Sequence, residues 1–189
     1  TFYTVTPIYY QHICYGYCVS DGSLFALKSE LSYLWTVNIG MALENIRKWQ
    51  WINRMNEKIN RMWKYDMLTQ VLNRSGFFYC AETILQKIKE EKSNAFIIFL
   101  DIDGLKSVND NLGHEIGDAF IAKIAGILKE VVPKDCLIMR YGGDEFVVFG
   151  SCKQAGRMQR IAEDIKAAIK TADQKENRSY HLAASLGCS

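Results

Sequence analysis

Acidic side chains stand next to apolar, strand-like segments at two places in this 189-residue chain. The segment "NAFIIFLDID" ends in Asp101 and Asp103, and "RYGGDEFVVFG" places Asp144 and Glu145 directly before an apolar run. Because side chains alternate along a strand, Asp101 and Asp103 can point to the same face. If the two segments lie side by side, Asp101 and Asp144 converge, and converging carboxylates repel each other unless a cation lies between them.

This pattern predicts a site for a hard divalent cation, because carboxylate oxygens select Mg²⁺ or Mn²⁺. Two such ions near a triphosphate can activate an attacking hydroxyl and neutralise the leaving group. Gly142 and Gly143 would allow positive φ in the turn and leave room for a bulky ligand. The alternative is that "GGDE" is only a polar turn between two strands, and the second acidic strand end at "DID" argues against it.

The segment "GLKSVNDNLGHEIGD" follows the first acidic strand and carries groups that can contact a nucleotide. Backbone N–H groups of Gly104 and Leu105, and the ammonium group of Lys106, can contact phosphate. Asn109 and Asp118 together offer the hydrogen-bonding groups that a guanine base requires. Turn formation and helix capping are the alternative roles for Asn109, and the pattern leaves both open.

Composition excludes several other classes of protein. The chain is 49% hydrophobic and 23% charged with a net charge of +2, which gives no general drive toward nucleic acid or an anionic membrane. It has no apolar run near the roughly 20 residues of a membrane span, and neither a signal peptide nor a lipidation motif. Six scattered cysteines without a CxxC pair indicate reduced thiols and a cytoplasmic protein. His12, Cys14 and Cys18 have no second ligand cluster, so packing is favoured over a zinc site.

The first third of the chain predicts two strands and a long helix. Residues 1–20 are rich in Tyr, Val and Ile, "SDGS" predicts a turn, and a helix is expected from near Leu24 or Ser29. Apolar residues from Leu31 to Trp63 recur at steps of three and four, which predicts one long helix with a single apolar stripe. Such a stripe favours a parallel coiled-coil dimer, and the alternative is a helix packed on its own domain. The chain begins at "TFYTV" without Met, so a fragment of a longer protein is expected.

The remaining residues, 66–189, predict an α+β domain. The order of patterns is helix, strand, helix, hairpin, helix and strand, which favours a mixed sheet covered by helices.

Four motifs in this region, in register, resemble the GGDEF domain of bacterial diguanylate cyclases: "DMLTQVLNR", "DIDGLKSVNDNLGHEIGD", "RYGGDEF" and "SLG". The resemblance implies a palm-like α+β fold with a mixed five-stranded sheet wrapped by helices over residues 66–189. Residues 38–65 would be a signalling helix that forms a stalk. Residues 1–37 resemble, more weakly, the end of a GAF-like sensory domain.

The resemblance also implies an activity and its residues. Two GTP molecules would condense to cyclic di-GMP with release of two pyrophosphates, in a homodimer controlled by an N-terminal sensor, with two Mg²⁺ or Mn²⁺ ions per active site and no nucleic-acid partner. Glu145 matches the general base. Asp101, Asp144 and the carbonyl of Ile102 match the metal ligands. The positions that match substrate contacts are Asn109, His114, Asp118, Lys106, Leu68, Gly104 and Leu105. Asp66 and Arg74 resemble a pair that fixes the turn leading into the domain.

Three departures from the family pattern qualify these expectations. Pro133 and Cys136 stand where the family's inhibitory RxxD motif has Arg and Asp, which predicts weak or absent feedback inhibition. Gln70 replaces a frequent Gly, with little expected effect. The chain stops shortly after "SLG", before a segment whose basic residues contact the triphosphate in the family. The competing interpretation is a catalytically silent GGDEF module that binds GTP or a regulatory partner, and a third is a scaffold whose helix alone functions.

Overall fold

The computed structural model describes residues 3–21, 29–152, 154–175 and 180–189. The chain forms two compact units, Thr1–Ile59 and Asn60–Ser189, and each is considered by itself. The turn predicted at "SDGS" lies largely outside the described residues, as does the helix start considered at Leu24.

The first unit is a β-hairpin packed against a helix. Strands β1 (Tyr3–Tyr10) and β2 (Ile13–Asp21) are antiparallel, and helix α1 (Ser29–Lys64) follows, which confirms the predicted stalk helix. The backbone of Tyr9 approaches Gly40 so closely that a β-carbon there would overlap the Tyr9 carbonyl. Only glycine therefore allows the hairpin to lie this close to the helix.

A buried carboxylate fastens the same hairpin to α1. Glu44 is 5% exposed and accepts hydrogen bonds from the Tyr15 hydroxyl of β2 and from Arg47 Nε at 2.8 Å. Hydrogen bonds from Arg47 and Tyr15 lower the Glu44 pKa to about 2. Charge-assisted hydrogen bonds of this kind compensate the cost of burying a carboxylate.

The second unit contains one antiparallel sheet with helices on both faces. The elements are α2 (Arg74–Glu90), β3 (Asn94–Ile102), α3 (Leu105–Leu112), α4 (His114–Val131), β4 (Leu137–Arg140), β5 (Glu145–Cys152), α5 (Arg157–Lys175) and β6 (Ala184–Cys188). The strands lie in the order β4-β5-β3-β6.

The α+β class is confirmed, but the sheet differs in detail from the expected mixed, five-stranded one. The described residues of the second unit hold four strands, all antiparallel to their neighbours. Parallel pairing is limited to a single bridge between Leu72 and Met139. Asn73, which follows Leu72, accepts a hydrogen bond from the Gly76 N–H and so caps α2. Because the helix begins there, the chain leaves the sheet after a single paired residue.

Alternation along the strands builds a core on each face of the sheet. Ile98, Leu100 and Ile102 of β3 are fully buried on the face covered by α4 and α5. The opposite face packs against α2 through Val147 and Phe77, among others. Asp101 lies between two of the buried residues of β3, so its carboxylate points away from the α4–α5 core.

No helix among the described residues combines the length and the apolar character needed to cross a membrane.

Candidate functional site

The pairing of β3 with β5 brings the two acidic segments together. Asp101 lies directly opposite Glu145, and the N–H of Ile102 donates to the Asp144 carbonyl at 3.1 Å. Directly opposed residues of antiparallel strands point to the same face. The predicted convergence of the acidic residues is therefore present, although Glu145 begins β5 rather than lying in the turn.

These carboxylates form a negatively charged cluster without protein partners. In the described ranges, no hydrogen bond or ion pair of the chain involves the Asp101, Asp144 or Glu145 side chains. Desolvation, followed by the charges of Asp144 and Asp103, raises the pKa of Asp101. Asp103 differs from the others because Ser185 Oγ donates to its carboxylate at 2.8 Å. Unrelieved repulsion between unpaired carboxylates is the environment that a cation would stabilise.

The donor set fits Mg²⁺ or Mn²⁺ and does not fit a metal held by protein alone. The described residues contain no group of three or more His, Cys, Asp or Glu side chains that could hold an ion. Mg²⁺ commonly binds through one or two carboxylates and completes its shell with phosphate oxygens and water. Asp101, Asp144 and the Ile102 carbonyl match that requirement. His12, Cys14 and Cys18, which were considered above as possible zinc ligands, form no such group either.

Arg140 fixes the turn between β4 and β5. Its Nε and Nη2 donate to the Gly143 carbonyl at 3.1 and 2.7 Å, and its Nη1 donates to Asp66 at 3.1 Å. Burial raises the pKa of Asp66, but hydrogen bonds from Thr69 and Arg140 outweigh it, and the pKa lies below its usual value. This role was not predicted, because Arg140 and Asp66 are 74 residues apart in the chain.

One expectation about the turn that leads into the domain was wrong, and so was one about the β4–β5 turn. Asp66 pairs with Arg140 rather than with Arg74, whose guanidinium lies 4.7 Å from the centre of the Tyr141 ring. Arg74 is the first residue of α2, and its side chain extends toward the turn from there. Neither Gly142 nor Gly143 has positive φ. Space is what Gly142 provides, because a β-carbon there would lie 3.2 Å from Glu145 Oε2.

The start of α3 directly follows the acidic strand, as a phosphate site requires. Gly104 adopts the left-handed conformation with φ 74°, and Leu105 begins the helix with its side chain buried. The first N–H groups of a helix have no partner within it, and the helix dipole favours anions there. Lys106 is exposed in the same first turn. These groups directly follow the acidic end of β3, and their contact with phosphate stays a prediction.

Asn109 lies against Gly117, the residue before Asp118, across the short turn between α3 and α4. The Asn109 amide packs on Gly117, the neighbour of Asp118, where a β-carbon would lie 2.9 Å from Asn109 Cγ. The amide makes no hydrogen bond within the described part of the chain, and the Asn109 backbone carbonyl accepts the Gly113 N–H instead. This half-buried amide therefore does not cap a helix and is available to a ligand. Gly117, a buried glycine inside a helix, was missed in the sequence.

The remaining predicted positions are less directly connected to the cluster. His114 is the exposed first residue of α4. Leu68 is 36% exposed in the turn after α1, a turn that Lys129 holds by donating to the Thr69 carbonyl at 2.6 Å. The contacts of His114 and Leu68 with substrate remain predictions.

The positions of the expected inhibitory motif are part of a different arrangement. Cys136 is buried, and burial is the main reason that its pKa is raised to about 11. The adjacent Asp135 accepts two hydrogen bonds from Arg157 Nη2, at 2.6 and 2.7 Å. Neither a guanidinium at Pro133 nor a carboxylate at Cys136 is present to bind a nucleotide.

Sequence comparisons identify relatives for most of the chain. A family model described as "Diguanylate cyclase, GGDEF domain" matches residues 63–189. A membrane protein of Staphylococcus epidermidis is 31% identical over 146 residues, which are 77% of this chain and 39% of the relative. A membrane protein of Staphylococcus aureus is 30% identical over the same shares. The chain thus spans about two-fifths of the length of these curated relatives.

Solved structures show the same fold. The coiled coil and GGDEF domain of DgcB from Caulobacter crescentus, in complex with c-di-GMP, superposes with a TM-score of 0.69 at 22% identity, covering 78% of this chain and 80% of that one. The GGDEF domain of TpbB (YfiN) from Pseudomonas aeruginosa gives a TM-score of 0.57 at 30% identity, covering 66% and 72%.

Proposed function

The chain belongs to the GGDEF domain family, as its motifs predicted, and we propose that it is a diguanylate cyclase that condenses two GTP molecules to cyclic di-GMP. The observation that supports this most strongly is the unpaired carboxylate cluster formed by the register of β3 and β5. The charges of Asp144 and Asp103 contribute to the raised pKa of Asp101, and this repulsion is relieved when a cation binds, which favours a metal-dependent use of the cluster.

Each residue has a role that follows from its position. The first turn of α3, with Lys106, binds the phosphates, and Asn109 and Asp118 bind the guanine edge. Asp101, Asp144 and the Ile102 carbonyl would hold two Mg²⁺ or Mn²⁺ ions, which supply charge neutralisation at the phosphates when bound. Glu145 accepts the proton of the attacking 3′-hydroxyl. The 3′-oxygen forms a bond to the α-phosphorus of a second GTP, and the bond to pyrophosphate breaks. In the second step the two nucleotides exchange roles: the 3′-oxygen of the second forms a bond to the α-phosphorus of the first, the bond to the second pyrophosphate breaks, and the ring closes.

Two GTP molecules must face each other, so the reaction requires two copies of the domain. Exposed apolar side chains along α1 support a homodimer through this helix. Trp49, Ile52, Ile59 and Met62 are each between 49% and 65% exposed and recur at steps of three, seven and three. Pairing of two such helices would bury these side chains. Residues 1–37 would then belong to the sensor that sets the geometry of the pair.

The activity is assigned to the cytoplasm, where GTP is available, with no nucleic-acid partner. The replacement of RxxD predicts weak or absent inhibition by cyclic di-GMP through that site. If micromolar cyclic di-GMP inhibits the chain and this inhibition disappears in a Pro133→Ala variant, the prediction about feedback inhibition is wrong.

The decisive experiment uses a chain extended past Ser189, so that it includes the basic segment that contacts the triphosphate in the family, and compares it with its Glu145→Gln variant. We expect pyrophosphate release and cyclic di-GMP from GTP and Mg²⁺, and a kcat lowered by about 10²–10⁴-fold in the variant with GTP affinity retained. Glu163→Gln, an exposed change on α5, is the matched control and should leave kcat unchanged. If the unmodified chain binds GTP without turnover at concentrations where it is dimeric, the silent regulatory module replaces this proposal.

A further inference from the structure

Helix α1 presents an exposed basic stripe, formed by Arg47, Trp51, Arg54 and Lys58. These residues follow each other at steps of four, three and four, so they share one face of the helix. Trp51 is 61% exposed in the middle of the three cations. Together with Lys48 and Met55, the basic stripe lines a surface groove of about 520 Å³.

Positive charge is concentrated on this helix. Residues 47–64 include six basic residues and one acidic residue, although the whole chain has a net charge of only +2. Glu44 neutralises part of the charge of Arg47 and Lys48, at 2.8 and 3.6 Å. Arg54 and Lys58 have no ion pair among the described residues. The local potential therefore attracts anions even though the net charge of the chain does not.

Trp51 distinguishes the basic stripe from an ordinary solvated face. A helix face that only meets water gains nothing from an indole ring between guanidinium and ammonium groups, because exposing apolar surface to water is unfavourable. Trp with flanking Lys and Arg is instead the combination favoured at the boundary between lipid headgroups and water. The groove is lined by residues of a single helix and is open to solvent, so it does not enclose a small molecule as a binding pocket does.

The basic stripe remains accessible if α1 forms the proposed dimer. At 100° per residue, it lies roughly a third of a turn around the helix from Ile52 and Ile59. A seam through those two residues would thus leave one basic stripe on the outer side of each helix.

We propose that the basic stripe binds an anionic lipid surface, with phosphate groups accepting hydrogen bonds from Arg47, Arg54 and Lys58 and with Trp51 lying among the headgroups. The binding is peripheral, and it is independent of the GTP chemistry proposed for the second unit.

The test measures co-sedimentation of the chain with vesicles of phosphatidylcholine alone or with a quarter phosphatidylglycerol. We expect binding only to the anionic vesicles, with loss in 0.5 M NaCl as the charges are screened. Each cation near such a surface strengthens binding about fivefold, so Arg54→Gln with Lys58→Gln should weaken it about 25-fold. Lys166→Gln with Lys170→Gln, on the exposed face of α5, is the matched control and should change it little. Circular dichroism checks that both double variants remain folded.

Three results would overturn the proposal: equal binding to both kinds of vesicle, equal losses in the two double variants, or no vesicle binding at all. If vesicles do not bind while a single-stranded oligonucleotide does, and only the α1 variant loses it, the basic stripe is a nucleic-acid site instead.

Discussion

Gly117→Ala tests whether Asn109 contacts the base of GTP. A β-carbon at Gly117 would lie 2.9 Å from Asn109 Cγ, and ordinary contact begins near 3.4 Å. The Asn109 side chain must therefore retreat by at least about 0.5 Å, with a larger shift at its oxygen, and hydrogen-bond geometry does not tolerate such a shift. Losing one hydrogen bond to guanine costs about 1 kcal/mol, so the Kd for GTP should rise about fivefold.

The same substitution should leave the fold intact. The obstructing atoms belong to the end of a flexible side chain, which can rotate away, and the helical φ of Gly117 suits alanine. Gly126→Ala, in the same helix, is the matched control, because its β-carbon would meet nothing within 4 Å. It should stabilise α4 by about 0.5–1 kcal/mol and leave GTP binding unchanged.

Calorimetric titration with GTP and thermal unfolding of both variants provide the measurements. An unchanged Kd in a folded Gly117→Ala protein would refute the assignment of Asn109 as a base contact. A similar rise in Kd for Gly126→Ala would show that any added methyl group in α4 disturbs the site.

Three further predictions concern charged groups. Because the pKa of Asp101 is raised, the folded, metal-free protein binds a proton there more readily than the unfolded chain, and stability falls as pH rises through that pKa. Asp101→Asn should therefore raise the unfolding temperature at pH 7 without metal and should abolish the stabilisation by Mg²⁺. Equal stabilisation of the parent and the variant by Mg²⁺ would contradict the metal assignment. Arg140→Gln should lower the free energy of unfolding by about 1–2 kcal/mol at pH 7, measured by denaturant unfolding. Because the pKa of Asp66 is lowered, this difference between parent and variant should shrink as pH falls through that pKa. A pH-independent difference would exclude the ion pair as its cause. Glu44→Gln should lower the unfolding temperature of the first unit at neutral pH but not near pH 2, where Glu44 of the parent is itself becoming protonated; an equal loss at both pH values would point to packing instead.

Local patterns predicted the elements well because they act over short distances. Steps of three and four from Leu31 to Trp63 predicted α1, observed as Ser29–Lys64. Apolar runs with acidic ends predicted β3, and the Gly-Gly turn predicted the β4–β5 hairpin. In each case the side chains that face solvent and core are set by the helix or strand period alone.

Contacts between distant segments were predicted less well. The resemblance pairs Asp66 with Arg74, eight residues away, whereas the structure pairs it with Arg140, the last residue of β4. Charge and side-chain length do not distinguish the two arginines, and it is the pairing of Leu72 with Met139 that brings Arg140 to Asp66. The antiparallel pairing of β3 with β5 and with β6 depends on how the intervening helices cross the sheet, which residue types do not encode locally.

The sequence by itself determined the family and the order of elements, because motifs and their spacing can be read along the chain without the fold. The residues proposed to bind metal and nucleotide were also named from these motifs, and their binding stays a prediction. Tertiary structure alone decided that Asp101 opposes Glu145, that Arg140 holds the glycine turn, and that Gly117 makes room for the Asn109 amide. These are distances between segments far apart in the chain. Each one depends on the packing of the whole domain, where a shift of one residue in strand register would turn every side chain to the opposite face.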